Sequence, residues 1–108
     1  MVNASWKQTE RAIAKRLGGR RSGSPAQSGA TATADVVAAA LCCEVKHRRA
    51  LPEWLKAALR QSVQAAGPGQ LSLVVLHEAG ERHDGDIVCL RLADFQALAK
   101  EPRSLLLP

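Results

Sequence analysis

The sequence predicts a single α/β domain in which a central mixed sheet is flanked by helices. Three observations predict it. At 108 residues the chain has the usual size of one domain. Segments with apolar residues at helical spacing alternate with short runs rich in Val, Leu and Cys. Gly, Pro and Ser punctuate the junctions between them. The expected order over residues 1–108 is helix, two or three strands, helix, two strands, helix.

Residues 5–17 form the first predicted helix. Ser5 can cap it, and Gln8 three positions on completes a capping box. Trp6, Glu10, Ile13 and Leu17 fall on neighbouring turns of one face, while Arg11, Lys15 and Arg16 give the helix a basic side. Gly18-Gly19 supplies the stop. Residues 20–34, RRSGSPAQSGATATA, are expected to be a mobile loop, with a short strand at Arg20 to Ser22 as its opening. Residues 35–38 and 41–48 are predicted strands joined tightly through Ala39-Ala40. Residues 52–66 are a second helix with Pro52 in its first turn and Leu51, Trp54, Leu55, Ala58, Leu59 and Val63 at helical spacing. Gly67-Pro68-Gly69 ends it. Residues 71–77, LSLVVLH, make a strongly apolar strand expected at the centre of the sheet. Residues 78–86 are a loop, 86–91 a strand and 92–100 a final helix. A short tail at 102–108 contains Leu105, Leu106 and Leu107, which would dock on the domain or join a dimer interface.

Composition narrows the function classes. Hydrophobic residues are 46% and charged residues 23%, as in ordinary soluble domains. The aromatics are Trp6, Trp54 and Phe95, so the core rests on Leu, Val, Ile and Ala, and both tryptophans are expected to serve packing. So modest a core favours a homodimer. The net charge of +5 and pI near 9.6 favour a polyanionic partner, of which nucleic acid is the commonest. Cys42, Cys43 and Cys89 match no zinc or disulfide pattern and are expected to be buried, reduced thiols in the cytoplasm. No apolar run approaches the roughly 18 residues of a membrane span, and no signal-peptide core is seen, so a cytoplasmic protein without a membrane partner is expected.

The segment Glu44-Val45-Lys46 bears the chemistry. Alternation on an extended chain puts Glu44 and Lys46 on one side, and Asp35, at the start of the neighbouring strand, can stand beside Glu44. Two nearby carboxylates repel unless a cation intervenes, and oxygen donors suit Mg2+ or Mn2+. Such an ion polarises a phosphodiester and activates water, while Lys46 can orient that water or offset transition-state charge. Glu10 can complete the site from the first helix. The same pattern also occurs on ordinary solvated strands. His47, Arg48 and Arg49 would contact phosphate. Gln61 and Gln64 are secondary candidates on the second helix. His77, Glu78 and His83 do not have metalloprotease spacing and read as a histidine pair at a loop edge; Asp84-Gly85-Asp86 reads as a turn.

Glu10, Asp35 and Glu44-Val45-Lys46, in the order ERAIAKRLGG, RRSGSPAQSG, ADVVA, CCEVKHR, resemble the PD-(D/E)XK nuclease superfamily. The chain is most similar there to archaeal-type Holliday junction resolvases and their phage-encoded relatives. Residues 5–49 hold the resemblance; beyond them it is one of topology. Ala34 stands where the family motif has proline. The resemblance implies a restriction-endonuclease-like αβββαβ core, two Mg2+ ions per site with Mn2+ as a substitute, no small-molecule cofactor, and a homodimer making paired nicks at a four-way DNA junction in a prokaryotic or phage-infected cell. It makes Glu10, Asp35 and Glu44 metal ligands and Lys46 the catalytic lysine. Arg20, Arg21, Ser22 and Ser24 would bind DNA with Arg11, Lys15, Arg48 and Arg49. A nicking, flap or restriction-like endonuclease, or a non-catalytic basic DNA-binding accessory protein, are the alternatives.

Overall fold

The computed structural model describes residues 6–22, 34–102 and 107. The chain is α/β, and its contacts gather into two compact units, Met1–Arg49 and Ala50–Pro108. The strands pair as a three-stranded and a two-stranded sheet, both antiparallel, rather than as the one mixed sheet expected. Among the described residues every strand is two or three residues long.

In the first unit, helix α1 spans Trp6–Leu17. The expected cap Ser5 and residues 23–33 of the expected mobile loop lie outside the described residues. Lys15 and Arg16 in the last turn complement the negative end of the helix dipole. Gly18 takes the left-handed conformation (φ 71°). Its N–H donates to the Lys15 carbonyl at 3.3 Å, and Gly19 N–H donates to the Ala14 carbonyl at 2.8 Å. This paired arrangement satisfies carbonyls that the helix end would leave open. Gly19 then runs against the backbone of β2, where a Cβ would stand 2.8 Å from the Val37 carbonyl carbon and 2.9 Å from Ala38 Cα.

That close approach launches β1 (Arg20–Arg21), paired with β2 (Val36–Ala38) through Arg20 opposite Val37 and Arg21 opposite Val36. Ser22 N–H extends the ladder to the Asp35 carbonyl at 3.0 Å. Strand β2 returns through Ala39-Ala40 into β3 (Leu41–Cys43), with Ala38 opposite Leu41 and Val36 opposite Cys43. The hairpin is thus where the sequence places it, but β3 stops at Cys43 instead of running to residue 48. The next donor, Val45 N–H, is taken by the Asp35 carboxylate at 2.7 Å, so a side chain replaces the ladder acceptor. Helix α1 lies on β1 and β2. Val36, fully buried, and Ala14 form the core there, and burying the valine side chain contributes about 1.5–3 kcal/mol.

In the second unit, helix α2 spans Glu53–Ala65 and follows Pro52, whose carbonyl accepts from Leu55 and Lys56 N–H. Glu53 bonds Arg60 at 2.6 Å and pairs with Lys56 at 3.5 Å. The Arg60 hydrogen bond, with the charges of Arg60 and Lys56, holds the Glu53 carboxyl below its ordinary value. Gly67-Pro68-Gly69-Gln70 closes a turn, with Gly69 at φ 78° and Gln70 N–H on the Gly67 carbonyl. Ser62 Oγ donates to the Leu73 carbonyl at 3.0 Å, joining α2 to the approach of β4.

Strand β4 (Val74–Leu76) pairs with β5 (Ile87–Cys89), Leu76 opposite Ile87. The expected strand 71–77 is trimmed to its middle, and among the described residues β5 is its sole strand partner. A 3-10 turn, His83–Gly85, leads into β5, and helix α3 spans Leu92–Ala99.

Two expectations about side chains need correction. Trp6 and Trp54 are 54% and 59% exposed rather than packed inside. Each stands in the first turn of its helix, and Trp6 lies instead beneath cations, Lys7 Nζ at 5.4 Å and the Arg21 guanidinium at 5.9 Å from its ring centre. Cys42 is exposed and Cys43 and Cys89 are half-buried; all three are free thiols, as expected. Leu107 stays exposed at the rim of an apolar groove lined by Leu71, Leu73, Leu90 and Leu98, while Leu105 and Leu106 lie outside the described residues.

Candidate metal and nucleic-acid site

The first unit holds Glu10, Asp35, Glu44 and Lys46. Residues 1–49 contain nine Lys or Arg against three Asp or Glu, a net +6, which leaves −1 on residues 50–108. The net positive charge of the chain therefore belongs to the unit with the Glu-Val-Lys segment. Arg11, Lys15, Arg20, Lys46, Arg48 and Arg49 are all exposed there.

Asp35 and Glu44 are placed by the hairpin. Val36 and Cys43 are the last paired residues, so Asp35 and Glu44 stand one register step beyond them, opposite each other. Like charges in opposing positions are unfavourable without a cation between them. The field of these carboxylates is felt at Cys43. Burial chiefly raises its thiol pKa, and the charges of Asp35, Cys42 and Glu44 add to the rise. One Asp35 oxygen is committed to Val45 N–H.

Glu44 and Lys46 share one side of the chain as expected, joined at 3.2 Å, although the segment is extended rather than a paired strand. Both are largely exposed, so the pair itself contributes about 0–1 kcal/mol to stability. His47 Nδ1 and Thr9 Oγ1 share a hydrogen bond of 2.6 Å. That bond ties the segment after β3 to α1, one residue before Glu10. Neither Thr9 nor this anchoring of His47 is legible in the sequence, because the contact spans the fold.

Glu10 is 6% exposed, and its Oε1 accepts from Arg21 Nε at 2.9 Å. Arg21, expected on DNA, is thereby engaged with the carboxylate expected on metal. Among the described residues, Glu10, Asp35 and Glu44 do not bring their oxygens within 4.8 Å of one another. Ser22 is half-buried beside Asp35, and Ser24 lies outside the described residues. Gln61 and Gln64 are exposed on α2 in the second unit.

The group of His, Cys, Asp and Glu side chains that does close to within 4.8 Å, among the described residues, is His77, His83 and Asp86. The sequence separates them by up to nine positions, and only the register of β4 with β5 reveals their proximity.

Comparison of the chain with family models, with curated proteins and with solved structures gave no match. Among the described residues no helix is long and apolar enough to cross a membrane.

Proposed function

We propose that the chain is a divalent-metal-dependent DNA endonuclease of PD-(D/E)XK type, acting on four-way junctions. The observation that carries this reading is the hairpin register, which sets Asp35 opposite Glu44, two residues before Lys46, in the unit with all the net positive charge. The element order α-β-β-β-α-β, from α1 to β4, is the order expected of that core.

The donor chemistry suits a hard divalent cation at two positions. Asp35 and Glu44 offer carboxylate oxygens from opposing chain positions, and Mg2+ or Mn2+ would relieve their repulsion. Glu10 joins them only by giving up Arg21. When bound, the ion would supply Lewis-acid activation of a phosphodiester. Lys46, on a long exposed stem, would turn from Glu44 to a phosphate oxygen or the attacking water. Arg48, Arg49, Arg11, Lys15 and Arg20 would hold the DNA backbone, fixing position without reading sequence. A symmetric dimer would present two such sites to two strands of the junction.

Cleavage of a synthetic four-way junction in Mg2+ tests this, with Glu44→Ala and Lys46→Ala as controls. Both variants should bind the junction and fail to cut it. Binding without cutting by the parent chain would leave the alternative of a basic, non-catalytic DNA-binding protein.

A further inference from the structure

The hairpin of the second unit holds a second ligand set, independent of the nuclease reading. His77 follows β4 and Asp86 precedes β5, and since Leu76 lies opposite Ile87, His77 lies opposite Asp86. His83 is brought to the same carboxylate by the 3-10 turn, which closes through Asp86 N–H on the His83 carbonyl at 3.0 Å. The two oxygens of Asp86 accept separately, from His77 Nδ1 at 2.6 Å and His83 Nδ1 at 3.0 Å. The imidazole rings stack with centres 4.3 Å apart. The strand register places His77 and Asp86, and the 3-10 turn brings His83 to them.

Burial and charge favour a cation here. The Asp86 side chain is only 14% exposed, and Glu78, Glu81 and Asp84 line a groove with His77, Asp86 and one basic residue, Arg82. Two imidazoles and one carboxylate are borderline donors that suit Zn2+ or Co2+ better than Mg2+. In a tetrahedral site with bonds near 2.0–2.1 Å, ligand atoms stand roughly 3.3 Å apart. The 2.6 and 3.0 Å contacts run to different Asp86 oxygens, so an ion between the three residues needs both imidazoles to draw back slightly from the carboxylate. His83, 83% exposed, can move that far without disturbing a core.

We propose that His77, His83 and Asp86 bind one zinc-type transition-metal ion. Three protein ligands leave a fourth position for water or a neighbouring carboxylate, and the ion clamps the 77–86 loop across the hairpin.

The experiment is a Zn2+ titration of the chelator-treated full chain, followed through the imidazole 15N resonances, with calorimetry alongside. At one equivalent the rings of both His77 and His83 should shift, whereas Mg2+ alone should leave them in place. His83→Ala changes an exposed side chain, so the fold should persist while Zn2+ affinity falls by at least about tenfold. Asp86→Asn should weaken binding similarly. Unshifted rings in the parent chain, or unchanged affinity in His83→Ala, would overturn the proposal and assign any Zn2+ uptake to the free thiols.

Discussion

Replacing Arg21 with Met isolates the buried Glu10 carboxylate and gives the most direct measure of how the first unit is held. The Glu10 side chain is 8% exposed and its partner Arg21 31% exposed, with the bond at 2.9 Å. Removing one member of a fully buried pair costs about 3–5 kcal/mol, because the other charge is left desolvated. Arg21 is partly wet, and water can enter the space it vacates, so about 2–3 kcal/mol is expected for Arg21→Met. Near 4–8 °C per kcal/mol, that lowers the melting temperature by roughly 10–20 °C. Glu10→Gln removes the charge but keeps an acceptor for Arg21 Nε, and should cost about 1 kcal/mol. The double variant Glu10→Leu/Arg21→Met has no stranded charge and should be less destabilised than the sum of Glu10→Leu and Arg21→Met, with a coupling of about 1–2 kcal/mol. Urea denaturation of the four proteins measures the cycle. An Arg21→Met loss under about 0.5 kcal/mol, with additive singles, would refute the claim that this pair is buried and structural.

Two further outcomes concern the first unit, one of them with a control in the second. Gly19→Ala forces a Cβ into the backbone of Val37 and Ala38, so it should cost about 3 kcal/mol in urea denaturation, whereas Gly67→Ala, which meets only the flexible end of Gln70 at 3.6 Å, should cost under about 0.5 kcal/mol. Burial and the charges of Asp35, Cys42 and Glu44 raise the Cys43 pKa, so less thiolate is present at any pH below it. Cys43 should therefore alkylate more slowly than exposed Cys42 at pH 8 and continue to accelerate above the ordinary thiol range, as peptide mapping of labelled protein would show; equal rates for the two thiols at pH 8 would contradict that field.

The helices, the Gly18-Gly19 stop and the Ala39-Ala40 hairpin are legible in the sequence because each depends on local periodicity or turn chemistry. Strand ends are not. Apolar and charged residues go on alternating after Cys43, but pairing needs a partner, and the Asp35 carboxylate takes Val45 N–H where a backbone carbonyl would continue the ladder. The same alternation does place Glu44 and Lys46 together, since it depends only on extended backbone. Burial of Glu10 against Arg21 was beyond local pattern, because β1 has to fold back on α1 before the two meet. Helical spacing marks Trp6 and Trp54 as belonging to an apolar face, yet nothing local says whether another element covers that face. His77 and Asp86 become neighbours only through a ten-residue hairpin connection, which residue spacing alone does not reveal.

The central claim is that Asp35, Glu44 and Lys46 form a hydrolytic site on a DNA-binding surface. Its most direct test is strand cleavage of a labelled four-way junction beside a matched linear duplex, with and without Mg2+. The account predicts Mg2+-dependent cutting of the junction in preference to the duplex, abolished by Glu44→Ala and Lys46→Ala while binding of the junction persists. Equal cutting of the two substrates would remove the junction selectivity, and cutting that survives both substitutions would contradict the site itself.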